Sequence, residues 1–315
     1  MIDLMGKRKY LFIASAVLIL IGVLFFAIRG GLTWDISFEG GTVIKVEMAD
    51  DDFEVGPMED QIRTFLGRPV YTQKEKTFNP ENGGEEISLL TIKISKEHTL
   101  TSAEINGLLD FLDSSYNVKA DTIPQIHSVE PFIGTEMRNK SLMAAGLAIL
   151  LIVVYVGIRF RVMSGLPAAL FGIVALLHDA LIMLSAYVVF NIPINEVFIA
   201  AILTILGYSM NDTIIIYDRI RENTASMHKA DIETLVNTSA VQTLPRTINT
   251  TVTTLICIVS LYVFSSIYNV TSIREFSLPL IIGIVSGSYS SIFVAAPLWM
   301  LWKKSNLKKK RLEMR

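Results

Sequence analysis

Long apolar segments separated by short polar ones dominate the chain. A helix that crosses a hydrocarbon core of about 30 Å needs about 20 mostly apolar residues. Six segments meet this requirement: Tyr10–Ile28, Ser141–Ile158, Pro167–Phe190, Val197–Tyr217, Thr247–Tyr268 and Phe276–Trp302. The pattern predicts six transmembrane helices, the last of which extends past the bilayer. The first apolar run is too long for the core of a cleaved signal peptide, so we expect a retained anchor.

A soluble insert, residues 30–140, separates the first two spans and has the length of a small domain with its own core. Its periodic stretches predict the order β-α-β-β-α-β, the split βαβ or ferredoxin-like arrangement. The predicted elements are a strand at Thr42–Met48, a helix at Pro57–Leu66, a strand at Val70–Gln73, a hairpin loop at Lys74–Glu85, a strand at Ile87–Ile94, a helix with Thr101 and Glu104 as its capping box, and a strand at Ile123–Phe132. The predicted fold class is an α-helical polytopic membrane protein with one α+β domain.

Charge divides the chain into an acidic insert and a basic remainder. The insert holds twenty acidic and ten basic residues, although the formal net charge of the chain is only −2. Lys and Arg collect at the N-terminus, in two loops and in the tail, all opposite the insert, and the positive-inside rule makes that side cytoplasmic. We therefore predict a cytoplasmic start and first helix over residues 1–29, an extracytoplasmic domain over 30–140, five further helices over 141–302 and a basic cytoplasmic tail over 303–315.

The sequence carries no recognisable signature of an enzyme. It contains no metal-ligand cluster, nucleophile–base pair or phosphate-binding loop. His98 and His127 are isolated in the insert, and the single cysteine, Cys257, lies within a span and has no partner for an intrachain disulfide. We predict no catalytic residue, no cofactor, no bound metal and no nucleic-acid partner.

A carboxylate inside the fourth span is the most unusual feature of the chain. No charged residue lies between Glu196 and Asp212, and the next one is Asp218. At about 1.5 Å per residue, Asp212 lies about 24 Å from the first and about 9 Å from the second. An ionised carboxylate at that depth costs at least about 2.5–3.5 kcal/mol unless it is paired, hydrated or protonated. Permanent pairing that fixes helix register is one interpretation; reversible proton binding, with Asn211 as a polar neighbour, is the one we favour.

Two further ionisable residues, His178 and Asp179, lie near the middle of the third span. Neighbouring side chains on a helix point in different directions, so we do not expect this pair to contact each other. The two residues suggest a polar seam between helices. A proton relay and hydrogen bonds that only hold the packing remain equally acceptable interpretations.

A cation and a run of threonines open the fifth span. Arg246, Thr250 and Thr253 or Thr254 recur at helical spacing and predict a polar stripe. A headgroup anchor is the simplest role for an arginine at this position. Because Arg246 lies beside the stripe and at a depth similar to that of an unpaired Asp212, a role as the counter-charge of Asp212 is about as well supported as a headgroup anchor. In the sixth span, small residues at Gly283 and from Ser286 to Ser291 predict a close-packing surface first and a site second.

Together these segments resemble the SecD/SecF family of protein-export membrane proteins over essentially the whole chain. The resemblance rests on Phe38-Glu39-Gly40-Gly41-Thr42, His178-Asp179, Gly207-Tyr208-Ser209-Met210-Asn211-Asp212-Thr213, Asp218-Arg219-Ile220-Arg221-Glu222-Asn223, Arg246-Thr247 and Ser288-Tyr289-Ser290-Ser291. The block in the fourth span with its charged exit is long and specific.

The resemblance implies a SecF-type subunit in the cytoplasmic membrane that pairs with SecD and assists the SecY-SecE-SecG channel, with YajC as a further candidate partner. It implies use of the proton-motive force to draw the translocating polypeptide outward after an ATP-driven motor has begun the work. The implied fold is half of a resistance-nodulation-division transporter, with Asp212 as the proton-binding group and Arg246 as its charge partner.

Two other functions compete with this one. A half-size proton-coupled exporter of small molecules or lipids would need an apolar or aromatic cleft in the soluble domain. A membrane scaffold would use the buried carboxylates only for packing. Independently of the resemblance, a six-span unit with a polar seam and no internal repeat is half of a two-repeat transporter, so a partner should supply the other half.

Overall fold

The computed structural model describes residues 3–79, 85–94, 100–119, 123–160, 165–268 and 270–313. In chain order the elements are α1 (Arg8–Arg29), α2 (Ile36–Glu39), β1 (Gly41–Met48), α3 (Val55–Leu66), β2 (Val70–Asn79), β3 (Glu85–Ile94), α4 (Ser102–Ser115), β4 (Gln125–Val129), α5 (Pro131–Arg159), α6 (Gly165–Phe190), α7 (Glu196–Ser226), α8 (Ile232–Ile267), α9 (Thr271–Ser290), a π-helical turn (Ser291–Ala295) and α10 (Ala296–Glu313). Six helices within the described residues are long and apolar enough to cross a membrane, which confirms the predicted number.

The second span begins well before its apolar run. The predicted strand Ile123–Phe132 ends earlier, as β4, and Pro131 already opens α5. A proline at the first helical position loses no hydrogen bond, because the first backbone N–H groups of a helix have no partner within it. The helix therefore continues from the soluble side into the membrane without a break.

The soluble domain is a four-stranded antiparallel sheet with strand order β2-β3-β1-β4. This order, with the two helices after β1 and β3, confirms the predicted ferredoxin-like arrangement. Its core is built from alternate strand residues and one face of each helix, with Ile44, Leu90, Ile62 and Leu108 fully buried. Burial of such side chains is the main stabilising contribution in a domain of this size.

The prediction of a hairpin loop at Lys74–Glu85 was wrong for its first part. β2 continues to Asn79 and pairs with β3 up to Glu85, while residues 80–84, with their predicted turn, lie outside the described residues. The polar run was misleading because β2 is an edge strand, where charged side chains are tolerated and discourage pairing with other chains. Lys45 on β1 forms an ion pair of 2.7 Å with Glu75 of this run.

The predicted capping box at the start of α4 is confirmed. The Thr101 hydroxyl accepts from the backbone N–H of Glu104, and the Glu104 carboxylate accepts from the backbone N–H of Thr101 at 2.8 Å. The hydrogen bonds from Thr101, with Arg68 nearby, hold the pKa of Glu104 below its usual value. Because the folded-state pKa is lowered, this stabilisation is present above the unfolded-state pKa and is lost as the pH falls.

Shortening a buried side chain of α4 should destabilise the soluble domain. We expect Leu108→Ala to lower the unfolding free energy of the domain by about 2–5 kcal/mol, because a fully buried leucine leaves a cavity. Hydrogen exchange of the full chain, followed by mass spectrometry, would show faster exchange in β1 and β3. Asp110→Ala, on the exposed side of the same helix, is the matched control and should leave exchange unchanged. Equal protection in the two variants would contradict the assignment of the core.

In the membrane part, α9 packs against α6, α7 and α8 and lies at the centre of the bundle. Glycines allow its close approach to α7. A Cβ atom at Gly283 would lie 2.4 Å from the Ile205 side chain, and one at Gly287 would lie 2.9 Å from Ser209 Cβ. This agrees with the predicted close-packing surface, and it brings the polar side chains of α7 and α9 within hydrogen-bond reach of each other.

Candidate functional site

Asp212 lies on α7 in the interior of the bundle. Its side chain is 1% exposed, and its Oδ2 atom has no hydrogen-bond partner. In the part of the chain that the structure describes, no donor bonds to this carboxyl group at all. Polar groups buried without a partner are rare in proteins and are typical of functional positions. Within the described residues, Asp212 is therefore a buried carboxyl group without a hydrogen-bond donor.

Arg246, the predicted charge partner, lies on an exposed part of α8. It is close enough to act on Asp212 electrostatically, but the two side chains form no direct ion pair. An arginine is long enough to reorient toward a carboxylate when its surroundings change. The geometry leaves the direct pairing of Arg246 with Asp212 as a prediction.

The threonine stripe of α8 faces away from the bundle. Thr250 and Thr253 are exposed and Thr254 is half-buried, and their hydroxyls donate to carbonyl groups of their own helix at 2.8–3.0 Å. The threonines that enter the bundle are instead Thr247 and Thr251, whose buried hydroxyls have no hydrogen-bond partner among the described residues. The structure thus brings none of the three predicted threonines into hydrogen-bond contact with Asp212, and their role stays a prediction.

Asp179 on α6 is the most extensively hydrogen-bonded carboxylate of the membrane part. It is fully buried, and each of its oxygens lies within hydrogen-bond distance of two side-chain groups. The Ser286 hydroxyl donates to Oδ1 at 2.6 Å, and the hydroxyls of Ser209 and Ser290 donate to Oδ2 at 2.6 and 2.8 Å. The fourth partner is Nδ1 of His178, 3.2 Å from Oδ1. Three helices, α6, α7 and α9, thus meet at one carboxylate.

The prediction that His178 and Asp179 do not contact each other was wrong. Their side chains leave the helix in different directions, but both are confined to the space between α6 and α9, and the imidazole turns back toward the carboxylate. The His178 ring also lies 5.9 Å from that of Tyr289, and its buried Nε2 atom has no hydrogen-bond partner in the part of the chain that the structure describes. The predicted polar seam is therefore centred on Asp179.

The contacts of Ser209, Ser286 and Ser290 with Asp179 were not predicted from the sequence. Ser286 and Ser290 are four residues apart on α9, which places them on one helix face toward a buried acid. That spacing was the available signal, but in a helix rich in glycine and serine it is equally typical of close packing. Only the relative rotation of α6, α7 and α9 distinguishes a set of ligands to a buried acid from simple close packing.

A second set of hydrogen bonds links this cluster to the turn of α7 that carries Asp212. The hydroxyls of Thr213 and Ser291 lie 2.9 Å apart, and that of Ser291 donates to the carbonyl of Ser209 at 3.1 Å. Ser291 opens the π-helical turn between α9 and α10. Such turns are rare and often occur at functional sites. The residue after Asp212 is therefore connected to an irregular part of the sixth span.

The remaining predicted positions lie apart from this cluster. Asn211 is exposed in a groove between α5 and α7 that is lined by Leu151, Tyr155 and other apolar residues. His127 is exposed on β4, and His98 lies outside the described residues. Within the described residues, no group of three or more His, Cys, Asp or Glu side chains is arranged to hold a metal ion.

The charged exit of α7 forms local ion pairs. Asp218 pairs with Arg159 and with Arg221, each at 3.0 Å, and Arg219 pairs with Glu222 at 3.0 Å. These side chains are partly exposed, so each pair contributes little to stability. They mark the end of the apolar environment around Asp212.

Comparison with known proteins gives consistent matches. The family model for the protein-export membrane proteins SecD/SecF, C-terminal, matches residues 112–305. Protein translocase subunit SecF of Alicyclobacillus acidocaldarius is 35% identical over 98% of this chain and 94% of that protein. The SecF subunit of Haemophilus influenzae is 33% identical over 93% of this chain and 83% of that protein.

Two longer relatives match this chain over less than half of their own length. SecDF of Bacillus subtilis is 32% identical over 98% of this chain but only 39% of that protein. The crystal structure of SecDF from Thermus thermophilus, described as a translocon-associated membrane protein, matches with a TM-score of 0.77 and 29% identity, over 96% of this chain and 39% of that chain. The chain thus belongs to the SecD/SecF family of protein-export membrane proteins, and its near-full-length relatives are SecF subunits.

Proposed function

We propose that the protein is a SecF-type accessory subunit of the Sec protein-export machinery that uses the proton-motive force to promote late steps of translocation. Asp212 binds the proton and Arg246 is its charge partner. The protein acts with SecD, and the SecY-SecE-SecG channel, YajC and the translocating polypeptide are its further partners. It performs no chemical reaction on a substrate, so it is not an enzyme.

The observation that carries this proposal is the contrast between the two buried carboxyl groups. Asp179 is held by four hydrogen bonds, whereas Asp212 receives none in the described part of the chain. A carboxyl group without fixed donors is free to accept a proton, and a nearby cation makes its ionised form accessible again. Ionisable residues inside spans are typical of proton pathways.

The exposed face of α8 supports a partner in the membrane. Arg246, Thr250, Thr253 and Cys257 are all exposed and recur every three or four residues, so they share one helix face. The exposed faces of α1 and α5 are mainly apolar instead. Because a charged side chain is costly in lipid, the face that carries Arg246 fits a protein better than acyl chains. In the proposed complex this partner is SecD.

The native cysteine on this face provides a test of the partner. The experiment uses native membranes in which SecD carries single cysteines along its membrane helices. We expect Cys257 to cross-link to SecD, because the exposed face of α8 packs against SecD. The matched control places a single cysteine on the lipid-facing side of α1, as Leu20→Cys in a Cys257→Ser background. Cross-linking of SecD from position 20 and not from position 257 would contradict the proposed face.

The proposed location is the cytoplasmic membrane, with both termini in the cytoplasm and the ferredoxin-like domain outside it. The bias of Lys and Arg toward one side of the spans supports this orientation. Proton entry at a membrane potential of about 150 mV supplies about 3.5 kcal/mol per proton. This free energy is enough to bias a two-state motion of the soluble domain but not to replace an ATP-driven motor.

The exporter alternative is not favoured. A cleft of about 490 Å³ lies where the soluble domain meets the membrane part, between β2 and the segment that follows α1, with Trp34, Tyr71 and Lys93 in its wall. An exporter needs its cleft within the soluble domain and continuous with the proton site. This cleft is at the junction instead, and the relatives compared are named as translocase subunits.

A further inference from the structure

A row of hydroxyl groups runs along the buried face of α8. Its members are Ser239, Thr243, Thr247 and Thr251, which follow one another at intervals of one helical turn and are each at most 8% exposed. The row begins near the end of α8 that the proposed orientation places at the cytoplasm, and it reaches the middle of the span. Small hydroxyl residues are common where membrane helices pack closely, so the row alone does not indicate a site.

The neighbouring face of α7 is built differently. Its buried residues at helical spacing are Asp212, Ile216, Ile220 and Asn223. Asn223 joins this face to α8, because its Nδ2 atom donates to the Ser239 hydroxyl at 2.8 Å and to Oε1 of Gln242 at 2.9 Å. Between its two ends this face of α7 is apolar, so the hydroxyl groups along the contact all belong to α8.

The contact of Asn223 also fixes the level of Asp212 along α8. The two helices are joined by the short connection 227–231 and run antiparallel, so positions equally far from the contact lie at the same level. Counting back from Asn223 to Asp212, and forward by the same number of residues from the two acceptors on α8, leads to residues 250–253. Thr251 is the buried member of this stretch, and Thr247 lies one turn closer to the cytoplasmic end.

The hydroxyl groups at the level of Asp212 differ from the others in their hydrogen bonds. Ser239 and Thr243 donate to carbonyl groups of their own helix at 2.8 and 3.0 Å. The hydroxyls of Thr247 and Thr251 and the Oδ2 atom of Asp212 are buried and have no hydrogen-bond partner within the described residues. Buried polar groups are normally satisfied by protein or by ordered water. Three unpaired polar atoms at one level therefore indicate a place where water binds.

We infer that the hydroxyl row of α8 is the route by which the proton of Asp212 reaches the cytoplasm, with buried water bridging its members. Successive side chains of the row are about 5–6 Å apart, a separation that one water molecule closes. Buried waters typically bridge polar groups that are otherwise unpaired. The route ends at Asn223 and the exposed Gln242.

Proton transfer along this row needs no further reactant. A hydroxyl group both donates and accepts, so each member receives one hydrogen and passes on its own. Asp212 ends ionised, and one proton enters the cytoplasmic water. The inference rests on the proposed function, because it names the exit from the proton site Asp212, and it makes Thr247 and Thr251 residues that position the transferred proton.

Replacement of Thr247 by valine tests the route. The purified complex of the full chain with its membrane partner is placed in liposomes that contain a pH-sensitive dye. We expect Thr247→Val to lower the rate of proton entry by about tenfold or more, because a methyl group neither donates nor accepts a proton. Thr247→Ser keeps the hydroxyl and should retain most of the rate. Thr204→Val is the matched control, since Thr204 on α7 is exposed and donates to the carbonyl of Ala200 at 2.9 Å.

Thermal unfolding of the same complexes separates a proton route from a packing role. Valine has nearly the shape of threonine and removes a buried hydroxyl that has no hydrogen-bond partner among the described residues. We therefore expect the melting temperature of Thr247→Val to equal or exceed that of the wild type. Slower proton entry at undiminished stability is the result that the route predicts.

Three results would overturn the route. They are proton entry at the wild-type rate in both Thr247→Val and Thr251→Val, equal loss in Thr247→Val and Thr247→Ser, and joint loss of stability and proton entry in both valine variants. Asp212→Asn in the same liposomes makes the failures distinguishable. Proton entry at the wild-type rate in Asp212→Asn would contradict the proposed function, whereas its loss there together with the wild-type rate in both valine variants would overturn the route alone.

Discussion

Replacement of Asp212 by asparagine is expected to abolish the stimulation of protein export by the proton-motive force while leaving ATP-driven export intact. Asparagine has nearly the same shape but cannot gain or lose a proton. Because no hydrogen bond to the carboxyl group is lost in the described part of the chain, we expect the variant to assemble normally. The measurement is the translocation of a preprotein into inverted membrane vesicles with and without an uncoupler.

The control for this experiment is Asp218→Asn on the same helix. Asp218 is partly exposed and pairs with Arg159 and Arg221, so its loss should cost little and leave the stimulation in place. If uncoupler still slows export in Asp212→Asn vesicles as much as in wild-type vesicles, the result would be incompatible with a proton-binding role for Asp212.

Replacement of Arg246 by methionine is expected to reduce the stimulation to the level of Asp212→Asn. Methionine retains most of the length and apolar stem of arginine but removes the charge that acts on Asp212. Without a cation the balance between the ionised and neutral forms of Asp212 changes, so the group no longer switches in the working range. The same vesicle assay gives the effect.

Two further variants test whether Arg246 acts through its charge or only as a headgroup anchor. Arg246→Lys keeps the charge and should retain part of the stimulation, since a lysine places a point charge without the planar geometry of arginine. Arg219→Met removes a partly exposed arginine from the exit of α7 and should have no effect. Equal loss in Arg246→Lys and Arg246→Met would assign Arg246 a specific geometric contact, and full activity in both would reduce it to a headgroup anchor.

The parts of the fold that could be predicted are those set by local periodicity. A span must be apolar over its length because lipid offers no hydrogen bonds, so all six were visible in the sequence. The capping box of α4 was readable because Thr101 and Glu104 interact within one turn. The extent of β2 was not, because the charged residues after Gln73 are typical of loops as well as of edge strands.

The parts of the site that could not be predicted depend on helix rotation. Asp212 was identifiable because the cost of a buried carboxyl group follows from depth alone. The bonding of Asp179 follows from the side of α7 on which Ser209 lies and the side of α9 on which Ser286 and Ser290 lie. Hydropathy carries no information on these angles, since serine is nearly neutral on any such scale. The same is true of α8, where Thr250 and Thr253 face outward instead of toward Asp212.

Proton movement through the assembled complex tests the central claim most directly. The purified complex of this chain with its membrane partner is reconstituted into liposomes that contain a pH-sensitive dye, and an inward proton gradient is imposed. We expect the wild-type complex to acidify the interior and Asp212→Asn to abolish this acidification, with Asp218→Asn matching the wild type. Proton entry in Asp212→Asn at the wild-type rate would contradict the assignment of Asp212 as the proton-binding group.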